Sequence, residues 1–303
     1  MKTFKLLAYF NRHKLLYLML LPGLAYFIIF KYIPMGGLLL AFKDYRILDG
    51  IMGSPWAGLK WFEKIMNSPY FFNLLENTLL ISIYKIIFGM PPDIILALLL
   101  NEVRKIWFKR TFQTITYLPY FLSWVIVYGI FMGLLMPNTG LINQAITSLG
   151  FEQISFLTSN EWFRTILVGT EIWKDIGFGT IIYIAALASI DPTLYEAAKM
   201  DGAGRVRQMW HISLPGITGV IVLLLIIRLG NIMEAGFSQI FTFLNAAVYS
   251  VGDVFGTWVY RTGIEEFQIS IATAMGLFNG IVGLVLVVLA NWLAKKITGS
   301  GIW

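Results

Sequence analysis

Six runs of largely apolar residues, separated by short polar segments, dominate the pattern of the chain: Leu15–Ile33, Leu74–Leu100, Ile115–Met136, Ile166–Ile190, Ile217–Ala235 and Ile269–Leu293. A helix of about 20 such residues crosses the roughly 30 Å hydrocarbon layer of a bilayer. The pattern therefore predicts an all-α integral membrane protein of about six transmembrane helices. An even number of spans places both termini on the same side.

Basic residues choose that side. With the N-terminus inside, the cytoplasmic segments hold Lys2, Lys5, Arg12 and Lys14, then Arg104, Lys105, Lys109 and Arg110, then Lys199, Arg205 and Arg207, and finally Lys295 and Lys296, more than half of the 23 Lys and Arg. The external stretch Pro137–Phe163 holds none, although the external segment Phe42–Asn73 carries Lys43, Arg46, Lys60 and Lys64. Short basic loops stay inside, so N-in, C-in is the better fit. The basic start followed by an apolar run, with no small-x-small cleavage site, reads as an uncleaved signal anchor. The chain divides into residues 1–73, a first span peripheral to the rest plus an external segment, and residues 74–303, a five-span core with a cytoplasmic segment at 191–215.

Composition narrows the function classes. The 303 residues are 57% hydrophobic and only 13% charged, against about 25% charged in soluble domains, and mean hydropathy is +0.72. The net charge of +6 does not mark a nucleic-acid binder, because the basic residues sit between spans. No cysteine is present and the two histidines, His13 and His211, are far apart in sequence. Thiol chemistry is excluded, and no metal site is expected.

The segment 191–215 carries the most information. Asp191 suits a helix N-cap and Pro192 the first helical position. A short helix through Met200 should be broken by Asp201-Gly202-Ala203-Gly204. A second should place Val206, Met209, Trp210 and Ser213 on one face before Leu214-Pro215 launches the fifth span. An interfacial helix resting on lipid would be rich in Lys and Arg. Here charges of both signs balance, and Ala197, Ala198, Gly202, Ala203 and Gly204 let another backbone approach. Partner docking is the favoured reading.

Glu196-Ala-Ala-x-x-Asp201-Gly-Ala followed by Ile212-x-Leu214-Pro215 resembles the EAA signature of binding-protein-dependent ABC importer permeases. Leu118-Pro119-Tyr120, Ile172-Trp173-Lys174 and Tyr183-x-Ala185-Ala186-Leu187 are similar to the sugar-importer, maltose-type branch, and more narrowly to the LplB-type oligosaccharide permeases. One departure is that Gly216 and Gly219 stand where many relatives have a further proline. The resemblance implies a type I ABC importer transmembrane domain in the bacterial cytoplasmic (inner) membrane. It implies a coupling helix at Glu196–Gly204 seated on a cytoplasmic ATPase, with Glu196, Asp201 and Gly202 as docking residues. The implied partners are a second, homologous permease in a heterodimer, two ATPase subunits that hold ATP and Mg, an extracytoplasmic solute-binding protein, membrane lipid and a sugar. The chain itself lacks G-x-x-x-x-G-K-[ST], so it has no phosphate loop of that kind and binds no cofactor.

Charged residues within spans are costly and are functional candidates. Glu171, Lys174 and Asp175, beside Trp173, form either a self-neutralising cluster near the external end of span four or part of a translocation path. Arg228, Asn231 and Glu234 share a broad face of span five and are favoured as path or gate. Lys85 lacks a local partner. Asn279 and Asn291 read as interhelical glue, and Gly276-x-x-x-Gly280 with Gly283 as a packing face. Pro91-Pro92 should kink or break span two. An ion-coupled secondary transporter would account for the buried acids but not for the docking motif. A membrane-embedded enzyme would need a convergent catalytic group, and none stands out.

Overall fold

The structure, a computed structural model, describes residues 12–298; Lys2 and Lys5 of the basic start lie outside these. Its described residues are helical, apart from turns and one isolated antiparallel bridge between Lys43 and Trp56. The chain forms two compact units. One takes the residues up to Asn67 together with Val259–Leu277, and the other takes Ser68–Trp258 and the chain from Phe278 onward.

In the first unit, α1 (Lys14–Phe27) runs on through a π-turn, Ile28–Tyr32, and a 3-10 segment, Gly36–Phe42. No residue of α1 is buried. The external segment after it is folded rather than loose. Phe42 stacks on Trp56, and Trp61 donates to the Lys43 carbonyl at 3.0 Å. The four basic residues that run against the charge rule have local work here. Lys60 pairs with Asp44 at 2.8 Å, Lys43 donates to the Ile51 and Met52 carbonyls, Arg46 lies 3.9 Å from Asp49, and Lys64 sits over the Trp61 ring.

The second unit is built around α2 (Pro69–Glu102) and α5 (Asn160–Ala188). Helix α2 passes Pro91 and Pro92 without a break. The carbonyls that lose their partners there are those of Ile87 and Phe88, on an exposed face of the helix, away from the buried side that α5 covers. Helices α2 and α5 meet closely where small residues allow it: a side chain at Gly179 would fall on the Asp93 carboxylate. At Gly177 it would fall on the backbone carbonyl of Thr116 in α3 (Ile106–Tyr117).

The predicted third span, Ile115–Met136, is not one helix. Helix α3 ends in a 3-10 turn at Leu118–Phe121, and α4 (Trp124–Leu135) leaves at 104°. Pro119 cannot donate to continue α3. Leu122 and Ser123 are extended, and the Ser123 hydroxyl accepts from the Ile126 amide to start a new helix. Span five is also shorter than expected: α7 (Thr218–Gly230) follows α5 and the short helix α6 (Pro192–Met200), and stops at Gly230 instead of Ala235. Among the described residues three helices are long and apolar enough to cross a membrane by themselves, and counting each of three bent pairs as one span brings the crossings to six by length and composition.

Residues beyond Gly230, which the hydrophobic pattern leaves unassigned after Ala235, form the centre of the unit. Ala235 and Gly236 adopt left-handed conformations (φ 50° and 78°) and reverse the chain into α8 (Phe237–Phe243). Ile240 and Phe243 of α8, with Val248 and Val254 beyond it, bury themselves against Ile81 of α2, Val127 of α4, and Phe163 and Leu167 of α5. The last helix, α9 (Ile269–Thr298), closes the chain. Its Phe278 packs edge-on to Phe71, while Asn279 Oδ1 is buried without a hydrogen-bond partner, so no glue role is seen for that atom. Nothing lies within 4 Å of where a side chain at Gly276 or Gly280 would begin, and at Gly283 the neighbour is the Gly230 carbonyl at 3.9 Å.

Gly177→Ala should lower the stability of the solubilised protein by about 1–3 kcal/mol, because a backbone carbonyl cannot yield to the added methyl. Gly169→Ala, in the same helix with nothing within 4 Å, should raise the melting temperature slightly because alanine is the better helix former, and thermal melts of both variants check the contrast.

Candidate functional site

A helix that stops inside a membrane leaves carbonyl groups without partners, and hydrocarbon offers none. After α7 ends at Gly230, side chains of α2 supply them. Ser82 donates to the Ile232 carbonyl, and Lys85 donates to the Ala235 carbonyl at 2.9 Å. The Lys85 ammonium, itself only 6% exposed, also pairs with Glu171 Oε2 at 2.5 Å and contacts Gln239 Oε1. Gln239 in turn donates to the Leu167 carbonyl at 2.7 Å and to Thr170 Oγ1 at 2.8 Å. One ammonium thus ties α2, α5 and the reversal before α8. Gly236 is required beside it: a side chain there would start 2.6 Å from Lys85 Nζ, in a backbone conformation that favours glycine.

A second pair lies deeper along α2. Asp93 is buried and accepts from Arg228 Nη2 of α7 at 2.9 Å, while its own carbonyl accepts from Thr180 of α5. These two ion pairs border an open cavity of about 540 Å³ lined by Lys85, Glu171, Asp175, Arg228, Asn231 and Glu234, with Tyr120 and Phe178 as an aromatic wall. The two rings stack at 3.9 Å and 6°.

The structure brings together five of the seven path candidates, Glu171, Asp175, Arg228, Asn231 and Glu234. It does not bring in the other two. Trp173 faces away and packs edge-on against Phe131 of α4. Lys174 is buried, donating to the Tyr120 carbonyl at 2.6 Å and lying over the Tyr120 and Trp124 rings. The self-neutralising cluster expected at the external end of span four is present only in part: Lys174 lies 3.9 Å from Asp175. Glu171 finds its cation on another helix, and residues 171–175 lie near the middle of Asn160–Ala188. Lys85, Tyr120 and Phe178 are further members of the lining, and Asp93 stands behind Arg228. Of these only Lys85 gave a local signal, a charge within a span lacking a neighbour, whereas Asp93 and the rings take their places only through helix packing. Among the described residues no group of three or more His, Asp or Glu could hold a metal ion.

The cytoplasmic elbow has its own geometry. Asp191 caps α6 by accepting from the Thr193 amide at 2.9 Å, which holds its carboxyl below the usual carboxylate range. At the other end Gly202 (φ 73°) donates to the Lys199 carbonyl and Ala203 to that of Ala198, a Schellman ending. Glu196, Ala197, Asp201, Gly202 and Gly204 are exposed and Ala198 and Ala203 half-buried, and α6 has no buried residue at all. The return arm is pinned by Gln208, which donates to the Ala203 carbonyl at 2.7 Å, by a Tyr195–Ser213 hydroxyl pair at 2.9 Å, and by Arg205, 3.8 Å from Glu102 of α2. The expected common face of Val206, Met209, Trp210 and Ser213 is divided. Met209–Ser213 winds as a π-turn, which shifts the register, so Ser213 is buried while Val206 and Trp210 are exposed. Leu214 is half-buried and Pro215 exposed where the arm enters α7.

Lys85→Met should destabilise the solubilised protein by about 3 kcal/mol, since it leaves a part-buried carboxylate and a carbonyl unpartnered. Adding Glu171→Gln should restore part of that loss. Melting temperatures of the single and double variants, with amide exchange at 231–240, check both statements.

A family model described as "Binding-protein-dependent transport system inner membrane component" matches residues 86–299. The chain is 50% identical over 302 residues to the polygalacturonan/rhamnogalacturonan transport system permease protein YteP of Bacillus subtilis (strain 168), covering 100% of this chain and 94% of the relative. It is 48% identical to Protein LplB of the same organism, covering 98% and 93%. Among solved structures, the bacterial alginate ABC transporter in complex with an alginate pentasaccharide-bound periplasmic protein contains a chain of 42% identity. That chain superposes with a TM-score of 0.89 over 97% of this chain and 98% of its own length. With a family model covering most of the sequence and relatives near half identity over its whole length, this chain belongs to the inner-membrane components of binding-protein-dependent transport systems.

Proposed function

We propose that this chain pairs with a second, homologous permease to form the membrane path of an ATP-driven oligosaccharide importer. It is a transport subunit rather than an enzyme, set in the bacterial inner membrane. In this reading the mid-membrane cavity is this chain's half of the path. The 191–215 elbow, within the permease core that begins near residue 74, seats on a cytoplasmic ATPase. ATP and Mg belong to two such ATPase subunits, and an extracytoplasmic binding protein delivers the sugar. The polyuronide and alginate transport named for the relatives supports the saccharide cargo.

The observation that carries the reading is α6. Its Leu194 and Met200 are 52% and 89% exposed, beside the small residues Ala197 and Ala198, and the helix is held rigidly at both ends. A helix so well capped yet burying nothing presents a surface to be covered by another protein. Its link to the path is α2, one continuous helix that carries Lys85 and Asp93 at the cavity and Glu102 at the elbow. A push on the elbow is transmitted along that helix to both ion pairs. An ion-coupled carrier leaves the elbow without a role.

Because the chain has no native cysteine, Ala203→Cys offers a single attachment point for a cross-linker. In intact membranes it should capture a cytosolic ATPase subunit, and capture of lipid alone would remove the docking reading. Glu196→Lys with Asp201→Lys should cut ATP-driven uptake by at least about tenfold, the effect of losing about 1.4 kcal/mol of docking energy, with membrane abundance unchanged. Uptake in vesicles should persist with ion gradients collapsed and stop without ATP; the reverse pattern supports the ion-coupled carrier.

A further inference from the structure

We infer that an apolar groove between α2 and α7 seats a helix of the second, homologous permease, an inference that rests on the pairing proposed above. The groove has a volume of about 560 Å³ and no charged side chain in its lining. Helix α2 gives it one bank, with Ile87, Pro91, Ile95 and Leu99 at four-residue spacing, and α7 gives the other with Ile221 and Leu225. The α2 bank is about 18 Å long by helical rise, and all four of its residues are exposed. At the elbow end stand Leu214 and the exposed Trp210, an aromatic suited to the membrane boundary. At the other end Ile86 lines both the groove and the candidate path cavity.

Apolar exposure alone does not name the occupant, because lipid tails are as apolar as leucine. Two observations favour a protein helix. First, the neighbouring cavity is open and its wall carries Lys85, Glu171, Asp175 and Arg228. At membrane depth such groups, with any water or sugar beside them, must be fenced from hydrocarbon. The chain that closes the open side has to meet α2 and α7 at the cavity's edge, where Ile86 passes into the groove. Continuity of the two surfaces places that chain on the groove as well. Second, Pro91 and Pro92 carry no amide hydrogen, so the Ile87 and Phe88 carbonyls lack their helical donors. Both residues are exposed, and Ile87 and Pro91 lie on the groove's bank. A lipid tail offers those carbonyls nothing, whereas a Ser, Thr or Asn side chain of a neighbouring helix donates to them. The occupant is an apolar helix with a short polar side chain at the level of Pro91, supplied by the permease that completes the path.

The test uses the complete importer, with all its subunits co-expressed, in native membranes. Photoreactive benzoylphenylalanine replaces Ile95 in one variant and Leu99 in another. Irradiation should join each to the second permease, and peptide mapping should place the adduct on an apolar segment that carries Ser, Thr or Asn. Ile95→Trp with Leu225→Trp fills the groove from both banks. It should cut the amount of second permease that co-purifies with this chain roughly tenfold, with this chain's abundance in the membrane unchanged. Adducts with lipid alone or with an ATPase subunit, no adduct at either position, or undiminished co-purification of the double variant overturns this inference and leaves the import reading standing. A wild-type chain that co-purifies with no second permease overturns the pairing itself, and this inference with it.

Discussion

A polypeptide that leaves its helix at membrane depth must find hydrogen-bond partners within the protein, and in this permease a single buried ammonium organises that repair. Lys85 accepts the cost of burial because Glu171 neutralises it and the Ala235 carbonyl and Gln239 side chain use its remaining donors. Without it the Ala235 carbonyl at the reversal into α8 would lose its donor, and α8 packs into the core against α2, α4 and α5. The same contact places Glu171 at the wall of the cavity. Fold and candidate path thus share one electrostatic anchor.

The cytoplasmic elbow obeys the opposite logic. Water is available there, so its backbone is satisfied locally by the Asp191 cap and the Gly202 ending rather than by burial. What remains is a short, stiff helix with small and apolar residues outward. Gln208, Tyr195 and Arg205 fasten it to the returning arm and to α2.

Helix α2 connects the two regions. Ala97 packs with Tyr183, Leu187 and Ile217 in a compact cluster at the elbow end, and Asp93, Lys85 and Ser82 follow one another along the helix toward the cavity. Pro91 and Pro92 lie between the ion pair at Asp93 and the latch at Lys85. They remove two internal hydrogen bonds where the freed carbonyls face outward. The helix is nonetheless unbroken across them.

Much of this was readable from residues in order. Long apolar runs specify membrane helices because hydrocarbon tolerates little else, and the Asp191-Pro192 start and Gly202 stop of α6 are local chemistry that needs no tertiary contact. The EAA-like stretch revealed the family for the same reason, since its spacing is local. Three things waited for the folded molecule. The corner at Leu122-Ser123 hides inside an unbroken apolar run, because hydropathy records solvent preference and not direction. The segment 236–258 is too short and mixed to read as a span, yet it is the core, since burial there comes from neighbouring helices. The partners of Lys85, Asp93 and Arg228 lie on other helices, at sequence separations of 86, 135 and 135 residues, and only packing brings such distant charges within hydrogen-bonding distance.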